Sequence, residues 1–257
     1  MLKNIINTMF KKEQKKQNVY NKSVCASSME MKSVFYQMLT FASDVIETHE
    51  KNRDKRQAAE PTHPIFDVIK LIGLRTQTKY LTNLLYNYER ERLPNMDPWH
   101  VFFSDSEDIT YDGKGMYDLF KKVSTEQALV SIKHDLVLPW PWDEGRQIQS
   151  LANIGEGRIR GSWTEDKLNH SIELWLPMRI GFVKGGNHSI SAGILQGEGF
   201  VRPKVIFDIS PIYQYVYTDG ENFYRKSDNT IIAKVSSVEF AAIFEIGRYM
   251  IEKGINR

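Results

Sequence analysis

The chain has 257 residues, 41% hydrophobic and 26% charged, with 34 Lys and Arg against 32 Asp and Glu for a net charge of +2. That length suits one or two domains of about 100–200 residues, with a core that needs no disulfide or structural metal, and the composition excludes whole-chain disorder. The near balance of charge excludes a polycation held to nucleic acid by bulk charge, but not a local basic patch.

Cys25 is the only cysteine, so an internal disulfide and a cysteine-based zinc cluster are excluded. No apolar run reaches the roughly 18 residues of a membrane span. The opening Met1-Leu2-Lys3-Asn4-Ile5-Ile6-Asn7 is too short and too polar for a signal-peptide core. The expectation is a cytoplasmic α+β protein without a membrane partner, in three parts: a basic arm over 1–25, a helical region over 26–125 and a mixed α/β region over 126–257.

In the arm, Lys3, Lys11, Lys12, Lys15, Lys16 and Lys22 face only Glu13. Such a stretch reads as a solvated flexible tail, or as a contact for DNA or another anionic partner. Ser27 with Glu30 predicts a capping box, followed by a helix with Met31, Val34, Phe35, Met38, Ala42 and Val45 on one face. A charged connector from His49 to Thr62 leads past Pro61 and Pro64 into a second helix carrying Ile65, Val68, Ile69, Ile72, Leu81, Leu84, Leu85 and Tyr88, stopped by Pro94. These helices are a candidate surface for a protein partner. The stretch 97–115 is turn-rich and acidic, with Asp105, Glu107, Asp108 and Asp112, but its spacing does not fit a calcium loop and predicts no metal site. A short helix is expected near Met116, Leu119, Phe120 and Val123.

From His134 onward the signals change to short strands. Leu136-Val137-Leu138 predicts a strand closed by Pro139, and Ile148, Leu151 and Ala152 a helix ending near Gly155. Ile172, Leu174 and Leu176 alternate, while Ile180-Gly181-Phe182-Val183 and Val205-Ile206-Phe207 read as buried strands. Thr218-Asp219-Gly220 and Ser227-Asp228-Asn229 are turn sequences flanking a hairpin. Ser236 with Glu239 predicts a second capping box, opening a last helix with Phe240, Ile243, Phe244, Met250 and Ile251 on its face and Gly254 at its stop.

The segment richest in chemistry runs strand, glycine turn, polar triplet, helix: Gly181-Phe182-Val183-Lys184, then Gly185-Gly186, then Asn187-His188-Ser189, then Ile190-Ser191-Ala192-Gly193. Two glycines let the backbone approach a ligand, and a helix start offers unpaired N–H groups to an anion. The bland alternative is a helix cap after a tight bend. Trp140-Pro141-Trp142 can floor a base pocket or cover a sheet edge, and Asp143 and Glu144 beside Arg146 read either as a carboxylate pair or as a helix-start charge cluster.

Residues from about 130 to 210 resemble the ParB N-terminal and sulfiredoxin superfamily. His134 to Pro139 is similar to the family's first strand, Arg146 to Gly155 to its helix, Gly186-Asn187-His188-Ser189-Ile190-Ser191-Ala192 to its nucleotide-phosphate motif, and Pro203 to Phe207 to the strand after it. The departures are specific. Ser189 stands where a ParB protein has arginine and brings no charge to a triphosphate; Asn187 stands where a sulfiredoxin has its cysteine nucleophile, which excludes sulfiredoxin chemistry.

The resemblance implies a nucleotide- or phosphate-binding protein, of a bacterial or mobile-element branch, holding ATP or CTP with Mg2+ at Gly185, Gly186, Asn187, His188 and Ser189. Weak phosphohydrolase or phosphotransfer activity is part of that expectation. Arg158 and Arg160, in the loop Gly155-Glu156-Gly157-Arg158-Ile159-Arg160-Gly161, are the expected replacements for the missing arginine, with Lys184 and Arg202 behind them. The alternatives are a non-catalytic interaction module with a degenerate site, and a DNA-acting protein such as a nuclease.

Overall fold

The computed structural model describes residues 22–55, 62–86 and 93–255, with side chains from Met29 onward. The expected arm therefore lies mostly outside the described residues, and its last residues open the first helix. Helix α1 (Lys22–Lys51) runs unbroken through Ser27, so the first predicted capping box marks no helix start. α2 (Ile65–Tyr86) follows, then the short helices α3 (Pro98–Val101) and α4 (Met116–Leu119). These four helices are the main elements described before β1.

The α+β class is seen in what comes next: β1 (Lys121–Val123), β2 (Val130–Ser131), β3 (Leu136–Leu138), α5 (Glu144–Asn153), β4 (Ser171–Leu176), β5 (Ile180–Gly185), α6 (Asn187–Gln196), β6 (Phe200–Val201), β7 (Val205–Asp208), β8 (Val216–Thr218), β9 (Asn222–Arg225), β10 (Ile231–Lys234) and α7 (Val238–Glu252). The central sheet has the order β1-β7-β4-β5-β3. β4 pairs antiparallel with β5, and β3 and β7 flank that hairpin in parallel. The C-terminal hairpin is a three-stranded meander, β8-β9-β10. α7 starts one residue later than its capping box suggests: Ser237 is the N-cap, its hydroxyl accepting from Phe240 N–H.

Both faces of the sheet's central part are covered, which is why β3 and β5 read as apolar runs. On one face Leu138, Trp175 and Phe182 pack with Phe35 and Ile46 of α1, Ile69 of α2 and Phe240 and Phe244 of α7. The helical first half and the last helix thus share one core, and no gap in it falls near residue 125. On the other face Val137, Leu174, Val183 and Ile206 meet Trp163 and Ile190 beneath α5 and α6. A buried ion pair fixes the hairpin end of the sheet. Arg179, at the β4–β5 turn, donates from Nε to Asp135 Oδ1 (2.9 Å) and from Nη2 to Asp135 Oδ2 (3.0 Å) and to Leu129 O (2.9 Å). Asp135 Oδ2 also accepts from Ser131 N–H at 2.7 Å.

Candidate anion-binding cleft

At the C-terminal end of β5 the chain must turn sharply past the residues that enter β4. A Cβ on Gly185 would lie 2.6 Å from Asn169 O, and one on Gly186 would lie 2.3 Å from His170 Cδ2. Gly186 also has φ +76°, a left-handed conformation that favours glycine. Close packing and backbone sign therefore both require the glycine pair, and the turn delivers the start of α6 to the surface.

α6 makes its first internal hydrogen bond from Ile190 N to Gly186 O (2.9 Å). The N–H groups of Asn187, His188 and Ser189 precede that ladder, as in any helix start. α5 arrives beside it. Its first internal bond is Gln147 N to Asp143 O (3.0 Å), and Asp143 Oδ1 caps it by accepting from Arg146 N–H (2.8 Å). Two side chains of α6 clamp the starts together. Asn187 Oδ1 accepts from Trp140 N–H (2.7 Å), and His188 Nε2 accepts from Asp143 N–H (3.1 Å). Between the helix starts lies a cleft of about 620 Å³, lined by Trp142, Asp143, Gly145, Arg146, Gln149, Ser150, Arg160, Asn169, Lys184 and the whole run Gly185 to Ser189.

The protonation states follow from the partners. A backbone N–H can only donate, so Asp143 N–H leaves His188 with its hydrogen on Nδ1. Burial lowers the His188 pKa, with Arg146 acting the same way and Asp143 opposing. The ring is 8% exposed, and its Nδ1–H has no acceptor among the described residues. By the same logic Asp166 N–H donates to His170 Nδ1 (2.8 Å), so His170 carries its hydrogen on Nε2 and donates to Ser189 Oγ (3.1 Å). Burial lowers the His170 pKa as well, against the nearby Asp166 and Glu165.

Ser189 Oγ accepts a second bond from the Trp163 indole N–H (3.1 Å), which also donates to Ser189 O (2.8 Å). With both lone pairs engaged, the hydroxyl hydrogen is left for a partner in the cleft. Trp163 stacks on His170 with ring centroids 4.8 Å apart, so indole and imidazole form one buttress behind Ser189.

The structure divides the expected site residues. Gly185, Gly186, Asn187, His188, Ser189 and Arg160 come together in the cleft. Arg158 does not: its Nη1 donates to Leu151 O and Ile154 O, both at 2.6 Å, and so closes the C-terminal end of α5. Arg202 does not line the cleft either. Lys184 does, but it donates to Asp97, and burial lowers its pKa.

The cation that sequence reasoning undervalued is Arg146, whose guanidinium lies 5.1 Å from the centre of the Trp142 ring. Among the described residues neither Arg146 nor Arg160 has an ion-pair partner. Trp142 stands edge-on to His188, whereas Trp140 turns away and donates its indole N–H to Leu93 O. Among the described residues no group of three His, Cys, Asp or Glu is placed to hold a metal ion, and no helix is long and apolar enough to cross a membrane.

Fold and cleft define an α+β protein with two helix starts, two guanidiniums unpaired among the described residues and a buttressed serine around one surface cavity. The chain belongs to a family described as a family of unknown function (DUF6710), whose profile matches residues 5–257. No curated protein and no solved structure matches it.

Proposed function

We propose that the protein binds a phosphate group, free or as the terminal group of a nucleotide, in the cleft between α5 and α6, without hydrolysing it. The observation that carries this reading is the convergence of two helix starts on a cleft with two arginines that have no carboxylate partner among the described residues. Each helix start contributes roughly half a positive charge and free N–H donors, and a guanidinium suits a phosphate by its planar fork. The resemblance to the ParB and sulfiredoxin motif at Gly186 to Ala192 points the same way. The volume lies within the range of about 300–1,000 Å³ of small-molecule sites.

Turnover is a poorer fit to the same atoms. His170 donates to Ser189 and so cannot take its proton. His188 Nε2 is committed to Asp143 N–H, and Asp143 Oδ1 is committed to capping α5. A nucleophile–base pair needs the base to accept from the nucleophile. DNA binding has less support, because Arg158 is spent on its own loop.

A thermal-shift panel tests the proposal, with inorganic phosphate, ATP, CTP, GTP and ADP, each with and without magnesium. A ligand at about a hundred times its Kd adds about 2.7 kcal/mol to the folded state, which raises the Tm by roughly 5–10 °C in a protein of this size. The expected result is such a shift in the wild type, abolished by Arg146→Ala with Arg160→Ala. No shift with any of these at millimolar concentration would remove the reading and favour a non-catalytic interaction module.

A further inference from the structure

One lining residue runs against an anion. Among the described residues Asp143 is the only carboxylate lining the cleft, and it sits at the start of α5 between the two helix ends. Capping explains one of its oxygens: Oδ1 accepts from Arg146 N–H. The other, Oδ2, has no hydrogen-bond donor among the described residues. Among the described residues no lining cation forms an ion pair with it: Arg146 lies over Trp142, Lys184 is paired with Asp97, and Arg160 has no carboxylate partner.

On α6 the same cleft is lined by His188, about nine-tenths buried, whose Nδ1–H has no acceptor among the described residues, and by Ser189, with a hydroxyl hydrogen to give. The cleft lining therefore offers several donors and one ionised acceptor. Donors suit any oxyanion. An ionised carboxylate can only accept, so the ligand atom that meets it must bring a hydrogen.

Resting on the reading of the cleft as a phosphate site, we propose that Asp143 is its specificity-determining residue, selecting an oxyanion that carries a hydroxyl, protonated phosphate, over fully ionised sulfate. Phosphate presents a P–O–H to Oδ2 while its remaining oxygens take the N–H and guanidinium donors. Sulfate has the same size and shape, but no hydrogen at neutral pH, and places a like charge against the carboxylate. Such a juxtaposition is a means of rejecting a ligand, separate from the contacts that attract it.

The test is calorimetric titration of inorganic phosphate and of sodium sulfate into the full-length wild type and into Asp143→Asn at pH 7. Asparagine caps a helix about as well as aspartate, so α5 and its clamp to His188 are retained while the charge is removed; Asp143→Ser is a second capping variant should the first fail to fold. The wild type is expected to bind phosphate about a hundredfold more tightly than sulfate, and Asp143→Asn to bring the two within a few-fold of each other by gaining sulfate affinity. Equal affinities in the wild type, or an unchanged ratio in the variant, would overturn the role of Asp143 while leaving the phosphate site standing. Binding of neither anion by the wild type would overturn the site itself, and the inference with it.

Discussion

Trp163→Ala is expected to destabilise the protein by about 3–5 kcal/mol, the range for removing a buried tryptophan, and to abolish the anion-induced thermal shift. Trp163 is buried in the core under α5 and α6. A Cβ on Gly193 would lie 3.0 Å from its indole and one on Gly199 2.1 Å, so the neighbouring backbone is moulded to the ring and has no side chains with which to fill the space. The indole also orients Ser189 and stacks on His170. Trp163→Phe separates the two roles: it keeps an aromatic face against His170 but loses the N–H, at a cost of about 1–3 kcal/mol for the unmade hydrogen bond. Urea denaturation and the thermal-shift assay read both effects. A loss below about 1 kcal/mol in the alanine variant would contradict the place given to this residue.

Asp135→Ala is expected to cost about 3–5 kcal/mol, because it strands the buried Arg179 guanidinium without its counter-charge. The side chains of the pair are 9% and 6% exposed, arginine first. The loss also leaves Ser131 N–H without its acceptor, and so loosens the chain entering β3, the sheet's edge partner of β5. The companion measurement is the double variant Asp135→Ala with Arg179→Ala, again by urea denaturation. Its destabilisation should fall short of the sum of the single variants, as for any pair in direct contact. Strict additivity would show that the two residues do not act as a pair.

The parts of the fold that could be read from the sequence are those whose pattern survives without knowledge of neighbours. Ile180-Gly181-Phe182-Val183 is apolar because both faces of β5 are covered, and the last helix shows its Phe240-Ile243-Phe244 face because that face meets the shared core. β1 escaped notice. Lys121-Lys122-Val123 is exposed throughout and exists only because β7 offers it an edge; lysines on an edge strand protect it from pairing with another chain and carry no period-two signal. β2 and β6, two residues each, are too short for any pattern.

The site divides along the same line. The glycine turn and the polar triplet were visible because they are consecutive. What holds them was not: His170 and Trp163 precede Ser189 by 19 and 26 residues, and only the β4–β5 hairpin brings them together. Arg158 and Arg160 look equivalent in sequence. The difference is that Arg158 can reach the open carbonyls of α5, which no spacing rule expresses. Arg146 reads as a helix-start charge until the second helix start arrives beside it.

The most direct measurement of the central claim is a titration of inorganic phosphate into the isotope-labelled protein, following backbone amide resonances by NMR. A bound oxyanion moves the N–H groups it accepts from. The account predicts the largest shifts at Asn187, His188 and Ser189 in α6 and at Glu144 and Gly145 in α5, saturating together with a single Kd. Saturable shifts centred elsewhere, or none at these five residues, would contradict it.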